Sequence, residues 1–264
     1  MEVKNKIVWI TGASSGIGEQ LAYEFAKLKA KVIISSHEKN ELSKVKEKCN
    51  TLGAECEVIV FDLGKPKEVT DATNKVIKNF KNVDILIVNG GISQRSSVLE
   101  TPLSLDRKLM EINYFGGISM TKALLPIMIK NGGGHIIATS SISGKFGFYL
   151  RSAYSASKHA IHGFYETVRV ELGDKNIKVT IVCPGRVQTN ISKHALDKDG
   201  KEHGKMDEGQ ATGISPQKCA VQIISAMQKN KKEVLIGGKE LLMVHMKRFL
   251  PGLFYKIVSK LKAT

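Results

Sequence analysis

Aromatic side chains make up only 6% of the 264 residues, and there is a single tryptophan. Surfaces that bind nucleic acid by stacking interleave aromatics with a dense basic stripe, whereas the lysines here are scattered over predicted helix faces. Nucleic acid is therefore not expected as a partner. The four cysteines, Cys49, Cys56, Cys183 and Cys219, form no CxxC pair and have no histidine pattern beside them. Neither a zinc framework nor a disulfide scaffold follows, and free thiols in a reducing cytoplasm are expected. Long apolar runs are missing too. Met1 to Lys6 carries mixed charge, and the apolar segment Ile7 to Ile10, with Thr11, is too short for a signal-peptide core or a membrane span. His135, His159, His162 and His245 lack metal-ligand spacing, so no metal is expected. Acids are in deficit, 25 against 40 lysines and arginines, and the net charge of +15 suits phosphorylated ligands or an anionic membrane surface.

What is present is a rhythm. Short β-branched runs alternate with amphipathic stretches: Ile7 to Ile10, then Glu19 to Leu28; Val32 to Ser35, then Glu41 to Leu52; Val58 to Phe61, then Lys67 to Phe80. The pattern continues through Ile85 to Val88, Asn113 to Lys130, His135 to Thr139, Ala153 to Leu172, Val179 to Val182, Pro216 to Gln228 and Val234 to Ile236. Seven strands separated by helices predict an α/β fold with a doubly wound parallel sheet. No proline-rich or serine-rich linker interrupts the chain, so one domain is expected. Residues 1–240 form its body and residues 241–264 an amphipathic extension. Ligands of such a sheet bind beyond the carboxyl ends of its strands.

TGASSGIG, Thr11 to Gly18, stands between the first strand and an amphipathic helix. Gly12 permits a tight turn, Gly16 lets the backbone approach a pyrophosphate, and Gly18 allows the helix to pack closely on the strand. Ser14, Ser15 and Ile17 belong to the same turn, whose free N–H groups face the anion. The second strand ends at Ser36 and His37 without an acid to hold a ribose hydroxyl. His37 and Lys39 would attract a 2′-phosphate, favouring NADP(H) over NAD(H), although Glu38 lies between them. Asp62 and Leu63 close the third strand, and Asn89, Gly90 and Gly91 the fourth, where an adenine and its ribose would lie; ordinary turn chemistry is the alternative.

Tyr154 and Lys158 are four residues apart on a predicted helix and so share a face. An adjacent ammonium stabilises a phenolate and makes tyrosine usable as an acid or base near neutral pH. With TGASSGIG, Asn89 to Gly91, NYFG at Asn113, SSISG at Ser140, YSASK at Tyr154 and the pair Pro184 and Gly185, the chain resembles the short-chain dehydrogenase/reductase family over nearly its whole length. Ser141 precedes Tyr154 by 13 positions, matching the family's substrate-orienting serine. The resemblance implies a Rossmann-type sheet and a tetrad: Tyr154 as acid or base, Lys158 lowering its pKa and holding the nicotinamide ribose, Ser141 bonding the substrate oxygen, and Asn113 supporting a water-linked proton relay. It also implies that Asp62 and Asn89 contact the adenosine, and that Pro184, Gly185, Val187 and Thr189 line the nicotinamide. Two departures are VNGG in place of the common NNAG and the missing arginine of NADP-preferring members.

The run Asn89 to Ser96 is similar to that of the branch of membrane-associated dehydrogenase/reductases acting on retinoid and steroid carbonyls. The implied reaction is interconversion of a hydrophobic carbonyl compound and its alcohol. Alternatives are reduction of a 3-oxoacyl chain or a long-chain base, and a nucleotide-sensing protein without turnover. The polar segment Gln188 to Ile214 reads as a mobile lid over the substrate. The segment Leu241 to Leu261 mixes apolar and basic residues; it packs on its own domain or a subunit partner, or lies at a membrane surface as a peripheral anchor. A homodimer or homotetramer is expected from the resemblance.

Overall fold

The computed structural model describes residues 2–260; Met1 and residues 261–264, the last four positions of the expected extension, lie outside the described residues. Seven parallel strands run β1 (Ile7–Thr11), β2 (Lys31–Ser36), β3 (Cys56–Val60), β4 (Ile85–Val88), β5 (Gly134–Thr139), β6 (Ile177–Pro184) and β7 (Glu233–Ile236), in the sheet order 3-2-1-4-5-6-7. The helices are α1 (Gly16–Lys27), α2 (Lys39–Thr51), α3 (Pro66–Phe80), α4 (Leu103–Met110), α5 (Gly116–Lys130), α6 (Ser152–Leu172), α7 (Glu208–Ala211), α8 (Pro216–Gln228), α9 (Leu242–Phe249) and α10 (Pro251–Val258).

Alternation within the strands sorts two cores. Val8 and Ile10 of β1, Ile34 of β2 and Ile85 and Ile87 of β4 face one side, where Leu21 and Phe25 of α1, Leu42 of α2 and Ile223 of α8 cover them. Trp9, Ile33, Leu86 and Val88 face the other, against Val76 of α3, Leu124 of α5 and Tyr165 of α6. Both faces are dry, so the strands carry apolar residues at successive positions. The indole of Trp9 keeps its N–H satisfied by donating to Ser35 Oγ at 2.9 Å. Asp84 ties the start of β1 to β4, accepting from Ile7 N at 2.8 Å and Lys6 Nζ at 3.0 Å.

Three features depart from the sequence reading. Leu103–Met110 is an additional helix, held by only Leu105 and Leu109, one turn apart; so short an apolar stripe is easily read as loop. It joins α5 through a π-helical turn, Glu111–Phe115, which contains Asn113. The 188–214 segment is pinned rather than free: Leu196 pairs with Gln94 and Glu202, and Ile214 with Val187. Backbone bonds run from Arg95 N to Leu196 O at 2.8 Å and from Leu196 N to Ser93 O at 2.9 Å.

The two final helices pack on their own domain, one of the alternatives open in the sequence. Phe254 is 1% exposed and its ring meets Phe146 edge-on at 5.2 Å, while Lys247 Nζ donates to Lys145 O at 2.8 Å. Leu242, Phe249, Leu250, Leu253 and Tyr255 point outward. Among the described residues no helix is long and apolar enough to cross a membrane.

Candidate active site

The sheet order reverses between β1 and β4, and a cleft of about 1040 Å³ opens beyond the strand tips there. Thr11 joins the two tips: its Oγ1 donates to Ile87 O at 3.3 Å and accepts from Asn89 N at 3.0 Å and Gly90 N at 3.1 Å. Gly12 has φ +62°, and a Cβ there would stand 2.5 Å from Gly90 Cα, so backbone meets backbone with no room for a side chain. Ser15, at the N-cap of α1, makes no side-chain capping bond, leaving the first N–H groups of this twelve-residue helix free for an anion.

Most of the expected nucleotide residues line this cleft: Gly12, Ser14, Ser15, Gly16, Ile17, Ser36, His37, Asp62, Leu63, Asn89, Gly90, Gly91, Pro184, Gly185, Val187 and Thr189. Two of the named residues act on the turn itself: Gly18 in the packing part expected of it, and Asn89 in place of the expected adenosine contact. Gly18 is not on the cleft wall; a Cβ there would lie 2.0 Å from Gly12 O, so its part is the close packing of α1 on the turn. The side chain of Asn89, expected on the adenosine, donates to Thr11 O at 3.3 Å and Gly12 O at 3.2 Å and so braces the glycine turn. Asp62 Oδ1 accepts from Gly64 N at 2.8 Å. Thr189 reaches back to the turn, its Cγ2 3.0 Å from where a Cβ of Gly16 would be.

At the other end Ser141, Tyr154 and Lys158 share the cleft wall. Tyr154 sits in the first turn of α6 and is buried, which raises its pKa; a hydrogen bond with Ser141 and the charges of Arg151 and Arg95 work against that rise. Lys158 Nζ donates to Thr139 O at 2.9 Å and stands 5.8 Å from the centre of the Tyr154 ring. Burial lowers the Lys158 ammonium to about 8. Asn113 lies behind the wall rather than in it. Its amide donates to Ile92 O and Ser157 Oγ, both at 3.0 Å, and its Oδ1 accepts from Ile92 N at 2.8 Å. Gly91 makes room for this: a Cβ would meet Asn113 Oδ1 at 2.9 Å and Lys158 Nζ at 3.5 Å.

Several side chains in and behind the cleft wall take partners that the sequence does not signal. Glu38 stands on the wall and accepts from Ser14 Oγ at 2.5 Å. Gln94, fully buried, caps the distant helix α6, its Oε1 accepting from Ala153 N at 2.9 Å and Tyr154 N at 3.3 Å. Arg95 forms a two-pronged pair with Asp207, which Arg151 Nη2 also reaches at 2.9 Å. Gln94 stands 59 and Arg95 112 positions from these partners, so no local pattern signals the contacts. Ile92, Ile142, Phe146, Phe148, Leu196 and Met243 give this end an apolar lining.

His162, expected to pack without ligand partners, instead groups with Cys183 and Glu233 within 4.8 Å. The ammonium of Lys145 stands in this cluster, 2.5 Å from Glu233 Oε2 and 3.3 Å from His162 Nδ1. Burial pushes the Cys183 thiol up to about 12, the state of a thiol that does not ionise near neutral pH.

The model of the short chain dehydrogenase family matches residues 6–200. Dehydrogenase/reductase SDR family protein 7-like of Drosophila melanogaster is 39% identical over 264 residues, covering 98% of this chain and 81% of that protein. Dehydrogenase/reductase SDR family member 7B of Bos taurus is 38% identical over 265 residues, with 97% and 81% covered. A crystal structure of a short chain dehydrogenase/reductase from Burkholderia phymatum in complex with NAD superposes with a TM-score of 0.85 at 21% identity, covering 96% of each chain, and shows the shared fold.

Proposed function

The chain belongs to the short-chain dehydrogenase/reductase family of oxidoreductases, and from that premise we propose that it interconverts a hydrophobic carbonyl compound and its alcohol with NADP(H), Tyr154 serving as acid and base. The observation that carries this reading is a single cleft with a side-chain-free cradle and uncapped helix N-terminus at one end and Ser141, Tyr154 and Lys158 beneath an apolar wall at the other. The residues present fit a dinucleotide, because the glycine turn packs tightly through Gly12, Gly16 and Gly90, where any side chain would collide with its neighbours, and the first N–H groups of α1 beside it have no side-chain cap. Bound there, the dinucleotide supplies or accepts the hydride.

Ser141 orients the substrate oxygen, and in reduction the Tyr154 O–H gives that oxygen its proton as the C=O π bond opens; in oxidation Tyr154 takes the proton back. Lys158, one turn further along α6, holds positive charge beside the tyrosine and faces the ribose side of the cleft. The amide of Asn113 is committed to Ile92 and Ser157, so its part in proton relay falls to the backbone carbonyl of the π-helical turn. Asp62, Asn89 and the segment Pro184 to Thr189 keep the nucleotide-facing roles given above, with Asn89 acting through the turn it braces.

Cofactor choice rests on charge at the β2 tip. His37 and Lys39 favour a 2′-phosphate, whereas the Ser14 to Glu38 bond sets a carboxylate on the same wall and favours NAD(H) as the second reading. For the lipophilic substrate, the outward residues Leu242, Phe249, Leu250, Leu253 and Tyr255 offer peripheral membrane contact to a cytoplasmic enzyme. The reading includes a homodimer or homotetramer, which light scattering would test.

The test is nicotinamide absorbance with NADPH or NADH and a panel of retinoid, steroid, acyl and aromatic carbonyls, beside Tyr154→Phe. Turnover that falls by about 10²-fold to 10⁴-fold in the variant, with nucleotide affinity kept, is expected. Nucleotide binding without turnover on any carbonyl would instead support the sensor.

A further inference from the structure

Two guanidiniums stand on the wall of the substrate end with one carboxylate between them. Arg95 follows β4, Arg151 immediately precedes α6, and Asp207 comes from the 188–214 segment. All three line the cleft, with side chains only 4%, 13% and 11% exposed. Arg95 is committed inside the protein: four of its five N–H groups go to Ser93 Oγ, Gln94 O and the two oxygens of Asp207. Arg151 is far less occupied. Its Nη2 donates to Asp207 Oδ2 at 2.9 Å, and its Nη1 reaches Tyr149 O only at 3.4 Å. Its Nε and the second hydrogen of each terminal nitrogen have no acceptor among the described residues. The same guanidinium lies over the Phe148 ring, 4.9 Å from its centre, so its charged fork and an apolar surface meet at one point of the wall.

Two cations and one anion leave a single positive charge in this cluster, and a buried charge is costly until an anion answers it. Burial, with Arg95 next to it, brings Arg151 down to about 10, so the guanidinium keeps its proton at neutral pH. The remaining acids of the wall are placed elsewhere. Glu202 pairs with His194 at 2.9 Å, and Glu240 accepts from Arg186 N and Gly238 N. Glu208 is exposed and makes no ion pair among the described residues, so water screens it. Lys108, the cation that α4 adds to the cleft, is exposed as well. Arg151 stands at the N-cap of α6, three residues before Tyr154, and both line the cleft. An anion at Arg151 and a reacting carbonyl at Tyr154 would therefore lie along one side of the helix start.

We infer that the substrate is amphipathic: a hydrophobic carbonyl compound that also carries a carboxylate, which Arg151 binds while the carbonyl faces Ser141 and Tyr154 and the apolar remainder lies along Phe146, Phe148 and Met243. The planar fork of arginine matches the two oxygens of a carboxylate, and three open N–H groups are there to meet them. The charge count selects a monoanion. One uncompensated cation is matched by one carboxylate, whereas a phosphate monoester would bring a second negative charge beside Asp207. This names the substrate class of the reaction proposed above and rests on that reading. Arg151 is a substrate-binding residue in it and takes no part in the proton transfer.

Binding is tested first, without turnover. The full chain with NADP+ is titrated calorimetrically with decanoate, decanamide and decyl phosphate at about 0.15 M salt, which screens the general positive charge of the surface. Decanoate should bind about tenfold or more tighter than decanamide, and Arg151→Gln should remove about tenfold to hundredfold of its affinity. Arg151→Lys, which keeps the charge but not the fork, should fall between. Asp207 keeps its two-pronged bond with Arg95 in both variants, and the comparison of acid with amide on the parent chain needs no variant at all. Kinetics follow, with an aromatic oxo acid and its primary amide: the acid-to-amide ratio of kcat/KM should fall toward one in Arg151→Gln, chiefly through KM. Equal affinity for decanoate and decanamide, or a preference for the acid that survives Arg151→Gln, overturns the inference. Decyl phosphate bound more tightly than decanoate overturns the assignment of a carboxylate. Decanoate binding that depends on Arg151, in a chain with no turnover on any carbonyl, supports the anion subsite and removes only the proposed reaction.

Discussion

The two ends of the cleft are built from different materials. At the nucleotide end the wall is backbone: Gly12 against Gly90, Gly18 against Gly12 O, and the open N-terminus of α1. At the substrate end it is side chain: Gln94 capping α6, and Asp207 between two arginines. Backbone has one shape whatever the neighbours, so the first end suits a group that never varies. Side chains exchange readily, and the second end is where specificity is open to change.

The largest effect that would break this contrast is expected at the nucleotide end. Gly12→Ala forces a β-carbon onto Gly90 in a left-handed backbone and should cost roughly 2–4 kcal/mol. Thermal melting should fall by several degrees, and nucleotide affinity, read by titration, should drop at least about tenfold. A fully stable, nucleotide-binding Gly12→Ala would mean the glycine turn is not a rigid cradle.

A smaller loss is expected at the substrate end. Gln94→Ala uncaps two N–H groups of α6 and removes the amide that donates to the hydroxyls of Ser96, Thr101 and Ser152, for about 1–2 kcal/mol in chemical denaturation. Turnover should fall with nucleotide affinity unchanged, since the partners of Gln94, on α6 and at Ser96, Thr101 and Leu196, all stand away from the glycine turn. An equal loss of nucleotide binding would erase the distinction between the two ends.

The smallest change should come from Glu38→Gln, a carboxylate on the wall of the largely backbone-built end. Its carboxylate is solvent-exposed and screened, so the ratio of NADPH to NADH affinity should rise only about fivefold to tenfold. No change in the ratio would place the cofactor's 2′ position away from Glu38.

The same contrast explains what could be read in the sequence. Seven strands, their helices and the glycine turn were legible because each rests on local periodicity or on a residue type that one backbone shape demands. Pro216 to Gln228 was placed to the residue, with Ser215 capping and Pro216 opening α8. Tyr154 and Lys158 could be paired by their spacing on one helix, whereas Ser141 and the roles of all three came only from the family resemblance. Gln94, Arg95, Arg151 and Asp207 were not, because an arginine and an aspartate 112 positions apart carry no mark of their pairing. The 188–214 segment likewise read as a free lid, since its polar composition hides the bridge from Leu196 to Gln94. His162 looked solitary for the same reason: Cys183 and Glu233 reach it from two strands distant in sequence.

The strand order 3-2-1-4-5-6-7 has a consequence for how the chain is made. As it leaves the ribosome, β2 and β3 extend the sheet outward from β1 in one direction, β4 then takes the other edge of β1, and β5 to β7 each add to the strand before. Synthesis thus never requires a strand to insert between two already paired, and every nascent stage exposes one growing edge for its own next segment. The glycine turn meets its partner Gly90 once the first third of the chain has emerged, whereas Asp207 arrives only after β6. A stalled or truncated product would therefore own a nucleotide cradle long before it owned a closed reaction chamber.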